Sequence, residues 1–375
     1  MTRSMILAAL ATTTAALGCS GEVAPPESDA TSEHSASIVA ACKSERAQVK
    51  VMTQNVYLGA DIDPILAAAS AEEVPVAVAT AWAQLEANRF EDRAAAIASA
   101  IARERPQLVA LQEVALFRRL PGDGSAATEI DFLAILQRAL SARGLHYNAA
   151  SVQKDSDVQV PMLAGFDATG APLLDGVQMI DRDVVLVRSD IRTSRPRSAR
   201  YAASLPVSVA GASIEIVRGW ASVVIHTETG PFRFMTTHLE DHVPQIQAAQ
   251  AEELLGITAA EKLPIVLAGD FNSPADGSET PTYGAIAAAG FHDAWSTAHP
   301  GDPGFTCCRA ADLHVAAPLT QRLDIVFARG RASGGMPSPV SAVIVGDALS
   351  DLTPSGLWPS DHAGVVATFR TPTSW

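Results

Sequence analysis

Short apolar runs alternate along the chain with stretches that carry apolar residues at helical spacing. The runs have the length and composition of β-strands, and the stretches have the period of amphipathic helices. Strands are predicted over residues 49–54, 108–111, 177–187, 214–225, 232–237, 264–267, 323–327, 341–345 and 364–369, and helices over 91–104, 130–143 and 245–255. Many strands with few helices favour two packed sheets with helices outside over a simple parallel βαβ series. Residues 155–181, which hold Pro161 and three glycines, are predicted to form an inserted loop near the site.

Several predicted strands end in clusters of polar residues. The clusters occupy residues 53–57, 111–114, 236–240, 269–273 and 360–364, and Asp324 lies in a further strand just before the last of them. Each cluster alone is more typical of a turn or of a solvated strand end. Five such clusters in one chain, each at the end of a strand, favour a shared site instead.

In this order the clusters resemble the endonuclease/exonuclease/phosphatase superfamily, which includes bacterial sphingomyelinases, pancreatic-type deoxyribonuclease, exonuclease III and inositol-polyphosphate phosphatases. The resemblance covers about residues 48–372, and residues 51–58 look most like the sphingomyelinase branch and its secreted bacterial relatives. It implies an α/β fold, a four-layer α/β/β/α sandwich of two packed sheets flanked by helices. It also implies a metal-dependent hydrolase of phosphoric ester bonds.

A phosphodiester is anionic and has a poor leaving group, so its hydrolysis needs charge neutralisation and an activated water. Mg²⁺ prefers oxygen ligands, and one or two carboxylates with an amide are enough to hold it. The resemblance implies that Glu113 is the main metal carboxylate, that Asn55 assists it and that Asp361 reaches the metal. Mg²⁺ is the expected cofactor, with Mn²⁺ as a substitute.

The resemblance also assigns the remaining roles. Asp270 positions or deprotonates the attacking water, and Asn272 holds a phosphate oxygen or supports Asp270. His362 holds the phosphoryl oxygen and is oriented by Asp324, while His238 assists the leaving group as an acid or orients the phosphate. Asp270 and Asn272 lie two residues apart in an extended segment, so both side chains can face one phosphate.

The first residues are predicted to be a targeting segment and not part of the fold. Arg3 precedes an apolar run that ends at residues 16–19, Ala-Leu-Gly-Cys, which resemble the bacterial lipobox. Residues 1–18 are therefore predicted to be a signal peptide of lipoprotein type, with lipidation at Cys19 and simple secretion as the alternative. Residues 19–47 are predicted to be a flexible tether, and residues 48–375 the catalytic domain.

Three further cysteines, Cys42, Cys307 and Cys308, follow the predicted lipidation site. An exported protein permits disulfides. Cys42 with one of the adjacent pair is the favoured disulfide, and a vicinal Cys307–Cys308 bond is the alternative.

The 27 basic and 41 acidic residues give a formal net charge of −14. Arg3 is the only charged residue before residue 19, and residues 19–47 carry −3, which leaves −12 for the domain. Such a domain is a poor candidate for tracking a nucleic acid by charge alone, although part of its negative charge is the predicted site itself.

The leading hypothesis is an exported, monomeric, Mg²⁺-dependent phosphodiester hydrolase, with a phospholipid head group or sphingomyelin slightly favoured as substrate. Extracellular DNA or RNA is the second substrate class, and the arginines between residues 188 and 200 are the only basic stretch that supports it. A phosphomonoester is the third substrate class. A non-catalytic surface module on the same fold is disfavoured, because all eight predicted site residues are present.

Overall fold

The structure is a computed structural model that describes residues 48–314, 318–330 and 338–370. The predicted signal peptide, Cys19, Cys42 and the tether lie outside the described residues. Within the described ranges, no helix has both the length and the apolar character needed to cross a membrane.

Sixteen strands are formed by the described residues. Their bounds are β1 Gln48–Asn55, β2 Leu108–Gln112, β3 Leu116–Leu120, β4 Thr128–Asp131, β5 Tyr147–Phe166, β6 Pro172–Arg188, β7 Thr193–Arg200, β8 Leu205–Val209, β9 Ala212–Ile216, β10 Gly219–Thr227, β11 Gly230–His238, β12 Ile265–Asp270, β13 His292–Asp293, β14 Asp324–Arg329, β15 Ser338–Val345 and β16 Gly364–Arg370.

The strands form two large mixed sheets. The first has the order β15-β16-β1-β2-β6-β3-β4, with β5 paired to β6, and the second has the order β13-β14-β12-β11-β10-β7. β1 and β2 are parallel in the first sheet, as are β11 and β12 in the second. A separate two-stranded hairpin is formed by β8 and β9.

The helices lie on the outer faces of the sheets. Their bounds are α1 Asp63–Leu66, α2 Glu73–Ala87, α3 Phe90–Glu104, α4 Phe132–Ser141, α5 Pro244–Ala259, α6 Thr282–Ala288 and α7 Ala294–Ala298, with a 3₁₀ turn at Leu349–Asp351.

Successive side chains of the central strands point to opposite faces, and this alternation produces the four layers. In β1, Val51 packs in the cluster between the two sheets, whereas Met52 packs in the cluster with α2, α3 and α4. In β12, Val266 joins the central cluster, and Ile265 joins the cluster with α5 and α6. Successive side chains of a strand point to opposite faces, so a strand buried on both faces joins two cores. The predicted four-layer α/β/β/α sandwich is confirmed.

Two sequence predictions about elements were wrong. Residues 155–181 do not form an inserted loop, because they belong to the long antiparallel hairpin of β5 and β6. Residues 214–225 are not one strand, because the chain leaves β9 at Ile216 and enters the second sheet as β10 at Gly219. A Cβ atom at Gly219 would lie 2.6 Å from the Ala199 carbonyl oxygen, so this strand start requires glycine.

Candidate active site

The ends of neighbouring strands in the first sheet carry two of the polar clusters. Asn55 is the last residue of β1 and lies opposite Gln112 at the end of β2, immediately before Glu113. β16 runs antiparallel to β1 and begins at Gly364, directly after Asp361 and His362. With the cluster that precedes β16, the first sheet presents three of the five clusters at the same ends of its neighbouring strands.

The second sheet presents the others at the ends of β11, β12 and β14. His238 and Asp270 are opposite each other in the parallel pair β11–β12, and Asp270 is opposite Asp324 in the antiparallel pair β12–β14. Three residues far apart in sequence thus form one row across the sheet.

Asn55 connects the two sheets. Its Nδ2 donates to Glu113 Oε1 at 2.9 Å and to Asp270 Oδ2 at 3.1 Å. Its Oδ1 accepts the Tyr57 backbone N–H at 2.9 Å and has a second lone pair. The two principal carboxylates of the site are therefore held through one amide.

His362 is held by a carboxylate partner, the residue that the resemblance implied. Its Nδ1 lies 2.7 Å from Asp324 Oδ2 and 3.7 Å from Asp270 Oδ2. Burial alone would lower the pKa of His362, but Asp324, Asp270 and Asp361 outweigh it and hold that pKa well above its usual value. The ring is a cation at neutral pH, and with Nδ1 taken by Asp324 its Nε2–H is the donor left for another group.

His238 is in the opposite electrostatic state. Its Nδ1 lies 2.9 Å from Arg218 Nη1, and its Nε2 lies 3.8 Å from Asp270 Oδ2. Burial, followed by the charges of Arg218 and His362, holds the pKa of His238 well below its usual value. Because arginine only donates, Nδ1 accepts and the neutral ring carries its proton on Nε2. This state suits orientation of a phosphate better than acid catalysis.

Asp270 is the centre of the arrangement. Its Oδ1 accepts the Asn272 backbone N–H at 3.0 Å, and Asn272 Nδ2 donates to the Leu239 carbonyl at 2.9 Å. Asn272 takes a φ of 46°, a left-handed conformation that asparagine tolerates. Burial raises the pKa of Asp270 to about 6, against the opposing charge of His362. A carboxylate with such a pKa is a competent base near neutral pH.

Comparison with known families finds a match over most of the chain. The model of the Endonuclease/Exonuclease/phosphatase family matches residues 52–362, which is most of the chain. The chain belongs to this family. The match runs from the strand that holds Asn55 to His362, so it spans all eight predicted site residues.

Solved structures with the endonuclease/exonuclease/phosphatase fold cover 86% of the chain. A humanized TDP2 of D. rerio shares 16% identity at a TM-score of 0.52 over 99% of its own length. The endonuclease/exonuclease/phosphatase from Beutenbergia cavernae DSM 12333 shares 22% at 0.51 over 71% of its length. The human Nocturnin catalytic domain, with bound sulfate, shares 19% at 0.50 over 94%. At these identities the likeness shows the fold alone. No curated protein matches the sequence.

The donor set of the site fits a hard divalent cation. Burial, with the nearby charges of Asp361 and Asp181, raises the pKa of Glu113 to about 8, and burial also raises the pKa of Asp361. These crowded carboxylates are destabilised as anions unless a cation offsets their charge. Glu113 and Asp361, with the free lone pair of Asn55, are the oxygen ligands that would hold such an ion. The ligand atoms of Asp270, Asp324 and His362 also lie within 4.8 Å of one another.

Sequence reasoning missed Arg218 and Asp181. Arg218 holds His238 and also reaches Asp181 Oδ2 at 3.5 Å and Asp241 Oδ1 at 3.2 Å. The signal for Arg218 was its place before Gly219, where one predicted strand had to be divided. Asp181 was overlooked because it lay inside the predicted strand over 177–187, at the end of the predicted loop, and not in a polar cluster at a strand end.

Two other contacts lie outside the row of strand ends. Arg182 of β6 donates to Asp131 Oδ1 at 2.6 Å at the start of α4. The sulfurs of Cys307 and Cys308 are joined to each other, which is the vicinal alternative, and no pairing with Cys42 is described.

Proposed function

We propose that the chain is an exported, Mg²⁺-dependent phosphodiester hydrolase that acts by in-line attack of water on phosphorus. The observation that carries the proposal is the convergence of Asp270, His362 and His238 at neighbouring strand ends. Asp270 Oδ2 lies 3.7 Å from His362 Nδ1 and 3.8 Å from His238 Nε2.

Each residue of the site has a separate role in the proposed reaction. Asp270 takes a proton from the attacking water, and Asn55 and Asn272 hold its two carboxylate oxygens in place. As the water oxygen bonds to phosphorus, the bond from phosphorus to the leaving oxygen breaks, and that oxygen takes its proton from solvent. His362 donates from Nε2 to a phosphoryl oxygen while Asp324 fixes its ring. When Mg²⁺ is bound at Glu113 and Asp361, it supplies positive charge for the phosphate. Electrostatic stabilisation of this kind is commonly the largest contribution to such a reaction.

Metal dependence is the direct test. The full chain with Mg²⁺ or Mn²⁺ is expected to hydrolyse bis-p-nitrophenyl phosphate, and EDTA is expected to stop the release of nitrophenolate until Mg²⁺ is added back. Hydrolysis that survives complete chelation would rule out the metal mechanism. A protein that binds the ester without turnover under any metal would support the non-catalytic surface module.

The proposed substrate is a phospholipid-like diester such as sphingomyelin. Its support is the acidic domain charge and the similarity of residues 51–58 to the sphingomyelinase branch. A head-to-head assay on sphingomyelin, phosphatidylcholine and plasmid DNA with Mg²⁺ separates the classes. Faster cleavage of the DNA at equal phosphodiester concentration would reject the lipid substrate.

A nuclease is the second candidate. It is supported by exposed arginines on the edge strand β7, among them Arg195 and Arg197, and Arg200 lies opposite Gly219 beside the site. One neighbour of the same fold, TDP2 of D. rerio, has been solved with a single-strand DNA product.

Export through a lipid anchor at Cys19 is part of the proposal. The substitution Cys19→Ser is expected to move the protein from the membrane fraction to the soluble fraction, because the thioether that carries the lipid cannot form. Fractionation of expressing cells followed by immunoblotting measures the shift. Cys42→Ser, in the same predicted tether, is the matched control and should leave the distribution unchanged. Equal membrane association of the Cys19→Ser variant and the original chain would argue against lipidation there.

A further inference from the structure

A cavity of about 310 Å³ opens beside the predicted metal ligands. Such a volume lies at the lower end of the range of small-molecule sites, ~300–1,000 Å³. The cavity lies between α1, α2, the β5–β6 hairpin and the small β8–β9 hairpin. Its apolar walls include Leu58, Trp82, Leu85, Val160, Met179 and Ile214.

Four charged lining residues connect the cavity to the site. Glu113, Asp361, Asp181 and Arg218 line the cavity and belong to the site or contact it directly. The cavity is therefore continuous with the place where the phosphate is proposed to bind, and a single molecule can occupy both.

Most of the other polar lining residues are exposed or already bonded. Asp61, Asp63, Asp241 and His242 are exposed at the surface. Arg309 donates to the Ser360 and Gly346 carbonyls, while its Nε has no partner among the described residues. Ser156 is buried, but its hydroxyl donates to the Val217 carbonyl and accepts the Val217 N–H at 3.1 Å. A nucleobase in this cavity would bury hydrogen-bonding edges among apolar side chains, which is costly.

Several apolar side chains around the cavity are only half-buried. Ile65 and Leu66 of α1, Val158 of β5, Met179 of β6 and Ile214 of β9 remain partly exposed while lining it. Covering apolar surface of this kind is favourable by about 25 cal/mol per Å². A hydrocarbon chain gains this energy without burying a polar group.

We propose that this cavity binds an alkyl substituent of the phosphodiester substrate, so that the substrate is an amphiphile with its phosphate at the predicted site. The inference rests on the proposed function and narrows its substrate class. It names one occupant, a flexible saturated chain attached to the diester.

The test is a series of 4-nitrophenyl alkyl phosphodiesters from methyl to octyl, assayed with the full chain and Mg²⁺. The leaving group is the same throughout, so differences report only the alkyl group. We expect kcat/KM to rise about two- to fourfold for each added methylene until the cavity is filled. An octyl-to-methyl ratio near one would overturn the inference and leave the proposed function standing.

Two variants on α2 test whether the dependence of kcat/KM on alkyl length arises in the cavity. Ala81 is half-buried and lines the cavity, whereas Ala83 on the same helix is exposed and does not line it. Ala81→Phe is expected to remove most of the octyl advantage and to retain turnover of the methyl ester, while Ala83→Phe should keep both. An unchanged octyl advantage in Ala81→Phe would place the chain elsewhere and overturn the inference.

Binding without turnover separates this inference from the proposed function. Calorimetric titration of the full chain with octyl phosphate and with methyl phosphate needs no hydrolysis. Tighter octyl binding that is lost in Ala81→Phe and kept in Ala83→Phe supports the cavity even if no diester is cleaved. Equal binding of the two phosphates, or an octyl preference that is unaffected by Ala81→Phe, contradicts it.

Discussion

Replacement of His362 by asparagine is expected to lower kcat/KM for a phosphodiester by about 10²–10⁴-fold, the range of a lost general acid–base or charge-donating group. Asparagine can keep a donor near the place of Nδ1, which bonds Asp324 at 2.7 Å, but it has no counterpart of Nε2. The rate therefore falls because the phosphoryl oxygen loses its donor. The measurement is kcat/KM with saturating Mg²⁺, beside urea unfolding of both proteins.

Asparagine is a better choice here than alanine. Asp324 is fully buried, and either substitution removes its cationic partner. Alanine also removes the hydrogen-bond donor to Asp324, which costs about 1–3 kcal/mol or more for a charged group. Alanine would thus mix a loss of stability with a loss of chemistry.

His292→Asn is the matched control. His292 is exposed on β13, away from the strand ends that form the site. Its substitution should change neither kcat/KM nor the urea midpoint. If His362→Asn kept a rate within tenfold of the original protein, the assignment of His362 to the phosphoryl oxygen would be wrong.

The layered fold could be predicted because strands buried on both faces leave a clear pattern. β2 and β12 are fully buried, and they appear in the sequence as short apolar runs that end in polar residues. The polar ends mark the edge of the sandwich where the clusters meet. These continuous apolar runs were enough to find the strands, and the order of the clusters suggested the family.

Other parts of the fold carry no such pattern. β5 and the first part of β6 have many exposed residues, so residues 155–181 resembled a loop, whereas residues 177–187 were predicted as a strand and lie in β6. The helix α2 has no side-chain cap at either end, and its apolar residues are not confined to one face. Both elements form walls of the cavity, and this is why the cavity could not be anticipated from the sequence.

Charged residues on a buried helix face are also hard to interpret from sequence. Arg93 lies in α3 on the same stripe as Phe90, Ala94, Ile97 and Ile101, which are all buried. An amphipathic pattern alone treats such an arginine as a solvated interruption. Its position one turn from Phe90 and one turn from Ile97 was the signal that Arg93 reaches into the core.

Arg93→Met is expected to lower the free energy of unfolding by about 3–6 kcal/mol, since several buried carbonyls would lose their donor at about 1–3 kcal/mol each. The guanidinium donates to the carbonyls of Asn88 at 2.9 Å, Val56 at 2.6 Å, Pro359 at 3.2 Å and Tyr57 at 3.2 Å. Burial lowers its pKa to about 10, so the group still carries its charge at pH 7. Urea unfolding of the full chain, followed by tryptophan fluorescence, measures the change.

The same substitution is expected to reduce activity, because Arg93 fixes the loop after Asn55 against the loop before Asp361. Arg103→Met is the matched control on α3, where the exposed side chain pairs with Asp351 at 3.2 Å. A surface pair of this kind contributes about 0–1 kcal/mol, so the control should unfold close to the original midpoint. Equal stability of the two methionine variants would show that Arg93 does not hold these loops together. Lost stability with full activity at low temperature would show that Arg93 supports the fold without setting the geometry of the site.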